Sequence, residues 1–175
     1  RLVDGREMEG HIEGLGHEQN IDYINRHEGW HLADVKNLLP NLDAPEMKGF
    51  DMKHPEQSIG KPAQTAAVAM VNREESFADV GAAGDMIREG ADPSIIGKVI
   101  SWREQSSEVG HMTAGALEQL RKKIGDMGLD KFRALDDDSA RALYEDAAVK
   151  GGLQPGQANT VLRYSTGTPE QRAAL

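Results

Sequence analysis

The chain has 175 residues and a mass of 19.1 kDa, the size of one domain that can bury a core without covalent staples. It contains no cysteine, which excludes disulfide frameworks, thiolate nucleophiles, iron–sulfur clusters and cysteine zinc fingers, so that any metal must be held by His, Asp or Glu. With 20 Lys and Arg against 29 Asp and Glu, the net charge of −9 has the wrong sign for coating a phosphate backbone or an anionic lipid, and no apolar run approaches the roughly 18 residues of a membrane span. Neither nucleic acid nor membrane is expected as a partner.

Only 5 % of the residues are aromatic while 19 are glycine, and no alternating apolar run marks a strand. The expected fold is mainly α: a compact helical domain with at most a small β element. Residues 1–19 are glycine-rich and charged and read as a loose arm. From Asn20, read as a cap, Ile21, Ile24, His31, Leu32, Val35 and Leu38 recur at three- and four-residue intervals, and Pro40 ends the run, predicting a helix over 20–39. Residues 40–61 carry Pro40, Pro45 and Pro55 with little periodicity and read as a long loop. Pro62 suits the first turn of an alanine-rich helix running to Gly90, with Gly81 and Gly84 as weak points. Asp92-Pro93 opens a further helix to about Gln105, and others are predicted at 113–125, 129–135, 138–150 with Asp138 as cap, and 156–165. The domain thus spans 20–165, with 166–175 as a tail. The opening Arg1 in place of Met is consistent with a processed product or a domain cut from a longer protein, and localisation stays open.

The chemistry is concentrated in His27-Glu28-Gly29-Trp30-His31, an H-E-x-x-H string inside the first predicted helix. Residues four apart lie about 40° apart on one helical face, one turn up, so both imidazoles reach a single cation while Glu28 sits beside it without binding. Two neutral imidazoles leave Zn2+ strongly Lewis acidic, and Glu28 is placed to take a proton from a polarised water attacking a carbonyl. A third protein ligand is required, and the downstream candidates are Asp34, Asp43, His54, Glu75 and His111. The residues after His31 lack the G-x-x-H continuation that supplies a third His in metzincins. His54 lies in the loop between the two motif-bearing helices; Glu75 forms an E-x-x-x-D string with Asp79 on the helix after it.

An H-E-x-x-H helix followed by a second helix bearing E-x-x-x-D resembles the gluzincin, thermolysin-like, metallopeptidases, and Glu75-Ser76-Phe77-Ala78-Asp79-Val80-Gly81-Ala82 is similar to their glutamate helix. The resemblance covers residues 27–82. It implies a zinc peptidase acting on a peptide or protein, with His27, His31 and Glu75 as ligands, Glu28 as general base and Asp79 fixing the tautomer of a ligand imidazole. It also implies a His or Tyr that steadies the developing oxyanion, for which His111, and after it Tyr144 or Tyr164, are positional candidates. The rival reading is a non-catalytic helical interaction domain of a larger phage, effector or toxin-like protein, with the motif coincidental or the metal structural. Trp30 and Trp102 read first as core aromatics, and Asp136–Asp138 as a helix cap.

Overall fold

The computed structural model describes residues 12–33, 61–105 and 109–154, together with 51, 54, 57, 157, 158, 160, 161 and 168–170. Among the described residues the fold is all helix: α1 (His17–His31), α2 (Pro62–Arg88), α3 (Ile95–Glu104), a 3-10 turn (Val109–His111), α4 (Ala114–Met127), α5 (Leu129–Arg133) and α6 (Asp137–Gly151). No strand occurs among them. α1 ends at His31 with Leu32 as its C-cap, short of the predicted end at residue 39. Residues 34–39 and most of 156–165 lie outside the described residues, as do Asp34, Asp43 and Tyr164.

The central element is α2, whose 27 residues extend about 40 Å at 1.5 Å per residue. It packs against α1, α4, α6 and the 3-10 turn. Two glycines explain how closely its neighbours approach. A Cβ at Gly81 would lie 2.6 Å from the Trp30 indole, and one at Gly84 would lie 2.4 Å from the Tyr144 ring. These positions are contact points where bulky rings seat against a helix backbone, rather than weak points. Trp30 packs edge-on against both Phe77 and Tyr144, with centroids 5.2 and 5.6 Å away, and its indole N–H donates to Asp85 at 3.1 Å. The Tyr144 hydroxyl donates to the same carboxylate at 2.9 Å. Trp30 is thus a core-edge aromatic whose polar edge is satisfied, as buried indoles require.

Helix ends differ from the sequence reading in identifiable ways. α1 starts at His17, and Asn20 sits within its first turn, where its side-chain amide donates to the carbonyls of Leu15 and Gly16 at 3.0 and 3.1 Å. The chain before it is anchored, because Ile12 is buried in the core. Gly14 turns the backbone there with φ +83°, a conformation that glycine adopts without a Cβ penalty. α6 is capped by Asp136, not Asp138: its carboxylate accepts from the Ser139 N–H at 2.7 Å. α4 and α6 approach through Gly115 and Gly151, where an added Cβ would lie 2.4 Å from the facing carbonyl.

Candidate metal centre

The α1–α2 contact brings together three residues that lie 4 and 44 positions apart. His27 and His31 project from the last turns of α1, one above the other, and Glu75 faces them from α2. His27 Nε2 and His31 Nε2 are 3.0 Å apart; Glu75 Oε2 lies 3.3 Å from the former and Oε1 lies 3.5 Å from the latter. A tetrahedral zinc ion with bonds of about 2.0–2.1 Å has ligand–ligand edges of about 3.3–3.4 Å, and one ligand atom from each of His27, His31 and Glu75 lies within 4.8 Å of the others, close enough to share one ion. Residue His54 is exposed and is not part of this group.

The far nitrogens of both imidazoles face carboxylates. His27 Nδ1 lies 2.9 Å from Asp79 Oδ1, and His31 Nδ1 lies 3.3 Å from Glu74 Oε1. Both Nδ1 atoms are within ion-pair distance of a carboxylate, although His27 Nδ1 is not aligned for a hydrogen bond to Asp79; a tautomer with the proton on Nδ1 would leave each Nε2 free to ligate a cation. The cluster needs a positive charge among its acceptors, which either a proton on His27 or a bound cation can supply. Glu75 Oε2 adds a second sign, being buried without a hydrogen-bond partner. The charges agree: Glu74, Glu75 and Asp79 against Arg103 leave two negative charges when the imidazoles are neutral, which a divalent cation balances. The donor set of two imidazoles and a carboxylate suits zinc.

The electrostatics of the protein without a cation follow from the same contacts. Burial favours a neutral His27, but the carboxylates of Asp79 and Glu75 outweigh it and push the ring up to about 9. Burial would raise Glu75, yet His27, then His31 and His111, hold it below the ordinary carboxylate range. Asp79 is fully buried, and despite that burial its contacts with His27 and Arg103 hold it far below the ordinary range.

Asp79 is a hub rather than a single partner of one imidazole. It accepts from Arg103 Nε and Nη2, both at 2.7 Å, from the Tyr23 hydroxyl at 2.5 Å and from the Thr113 hydroxyl at 2.6 Å. Nothing in the local sequence marks Arg103, Tyr23, Thr113 or Glu74: Tyr23 comes from α1, Arg103 from α3 and Thr113 from the N-cap position of α4, while Glu74 is the neighbour of Glu75 on α2.

The remaining predicted residues are placed unequally. His111, on the 3-10 turn, brings Nε2 to 3.5 Å from Glu75 Oε2 and is one-third exposed, at the edge of the cluster. Its turn is fastened by the buried Asn72 side chain, which donates to the carbonyls of Gly110 and Met112 at 3.3 and 3.0 Å and accepts from the Leu153 N–H at 2.8 Å. Glu28 is exposed, one position beyond His27 on α1. Tyr144 is buried and bound to Asp85, on the Trp30 side of α2, and so is not at the cluster. In comparisons with known proteins, no family model, no curated protein and no solved structure matches this chain.

Proposed function

We propose that this protein is a zinc-dependent peptidase in which His27, His31 and Glu75 hold the ion and Glu28 serves as general base. The observation that carries the reading is the grouping of one potential ligand atom each from His27, His31 and Glu75 within 4.8 Å, with the opposite nitrogen of each imidazole near a carboxylate. A bound zinc ion would supply Lewis acidity, lowering the pKa of water and polarising a carbonyl. The protein's own residues do the rest. Asp79 and Glu74 hold the imidazoles in the tautomer that presents Nε2. Glu28, on the solvent-facing side of α1, takes a proton from the attacking water and returns it to the leaving amine. His111, at the exposed edge beside Glu75, donates to the carbonyl oxygen as it gains charge. The resemblance of residues 27–82 to gluzincins supports the same assignment.

The test is a Glu28→Gln variant assayed beside the wild type on a proteome-derived peptide library, with zinc content measured on both. The expected result is one zinc per chain in each and a loss of cleavage of about 10²–10⁴-fold in the variant, the usual contribution of a positioned general base. Zinc retained with no cleavage by either protein would instead favour a helical interaction domain with a structural metal. A wild type without stoichiometric zinc would overturn the reading altogether.

A further inference from the structure

We infer that Arg103 is a positioning residue for the metal centre: it supplies the charge that lets Asp79 stay an anion, and stay aimed, behind a neutral His27. This rests on the zinc reading above and extends it to a residue 24 positions beyond Asp79, on α3.

Asp79 has no exposed surface, and a buried carboxylate needs both hydrogen bonds and a countercharge. The hydroxyls of Tyr23 and Thr113 contribute hydrogen bonds but no charge. His27 can contribute charge only while protonated, and an imidazole that ligates a metal through Nε2, with its proton on Nδ1, is neutral. In that state Arg103 is the one cation in contact with Asp79 among the described residues. Its geometry suits the task. Nε meets Oδ2 and Nη2 meets Oδ1, both at 2.7 Å, the two-pronged pairing that fixes a carboxylate plane. That plane presents Oδ1 to His27 Nδ1 at 2.9 Å. The guanidinium is itself held: it is buried, its carbon lies 4.3 Å from the Trp102 ring centroid, and Trp102 packs edge-on against Tyr23 at 6.2 Å. Nη2 also lies 4.0 Å from Glu75 Oε2, so the same cation faces the ligand carboxylate. A lysine would supply charge at one point without the fork.

The test is a cycle on the full chain: wild type, Arg103→Met, Asp79→Asn and the double variant, with zinc dissociation constants measured by competition with a chromophoric chelator. Arg103→Met is expected to weaken zinc by about 10-fold or more, within the range for residues that orient metal ligands. In the Asp79→Asn background the same change is expected to cost clearly less, because the carboxylate it pairs with is gone and only the longer 4.0 Å contact with Glu75 remains. Arg103→Lys is expected to recover part of the loss, and it takes the place of Arg103→Met in the cycle if the methionine variant does not fold. A merely structural arginine would cost the same in both backgrounds. Equal losses with and without the Asp79 charge, or a folded Arg103→Met that binds zinc like the wild type, would overturn the inference while leaving the zinc site intact. A wild type that binds no zinc would instead remove the site on which both readings stand.

Discussion

Each imidazole of the H-E-x-x-H pair has a carboxylate behind it, and the two carboxylates differ in burial. Asp79 is fully buried, whereas Glu74 is one-quarter exposed and faces a His31 that is itself one-fifth exposed. Water can replace Glu74 as acceptor for the His31 N–H and cannot replace Asp79. Zinc affinity should therefore fall toward the upper end of the roughly 10–100-fold range in Asp79→Ala and toward its lower end in Glu74→Ala. Competition titrations would check the order, and a larger loss in the Glu74 variant would contradict it. At this scale the sequence was informative where the motif is local. His27, Glu28 and His31 are legible because one helical turn fixes their relation, and Glu75 with Asp79 because a second turn does the same. Arg103, Tyr23 and Thr113 meet Asp79 across 24, 56 and 34 positions. Contacts of that range leave no periodicity to read. Glu74 was hidden for another reason, since it adjoins Glu75 and only the packing of α1 decides which of two neighbouring glutamates faces which nitrogen.

At the scale of helices, the site depends on how closely α1 and α6 seat on α2. Gly84→Ala gains up to about 1 kcal/mol of helix propensity, but its Cβ would meet a Tyr144 ring held by Asp85. Overpacking of this kind costs about 1–3 kcal/mol, so the net effect is destabilising, with a fall in Tm of roughly 2–8 °C. Gly125→Ala is the control. It lies inside α4 with nothing within 4 Å of the added methyl, and its Tm should rise. Thermal melts of the two variants check the pair, and a stabilised Gly84→Ala would contradict the packing described. The helices at 62–90, 92–105, 113–125, 129–135 and 138–150 were legible to within a few residues from Pro62, Asp92-Pro93 and the apolar spacing. Capping was less so. In Asp136-Asp137-Asp138 three candidates stand in a row, and only the bond to Ser139 selects the first. The role of Gly81 and Gly84 was illegible because a glycine that weakens an isolated helix is the same glycine that admits a ring.

For the whole molecule, the acidic balance of the chain recurs at its centre as three carboxylates against one guanidinium, the arrangement a divalent cation would complete. The mainly helical fold follows from composition, and 175 residues suffice to close a helical core around α2. No helix among the described residues is long and apolar enough to cross a membrane. The central claim is that one cation sits between α1 and α2. It is tested most directly by anomalous scattering at the zinc edge from crystals of the purified chain. The predicted result is one zinc peak per chain, bonded at about 2.0–2.2 Å to His27 Nε2, His31 Nε2 and a Glu75 oxygen. A peak bonded to other side chains, or zinc-soaked crystals with no peak between these three residues, would contradict it.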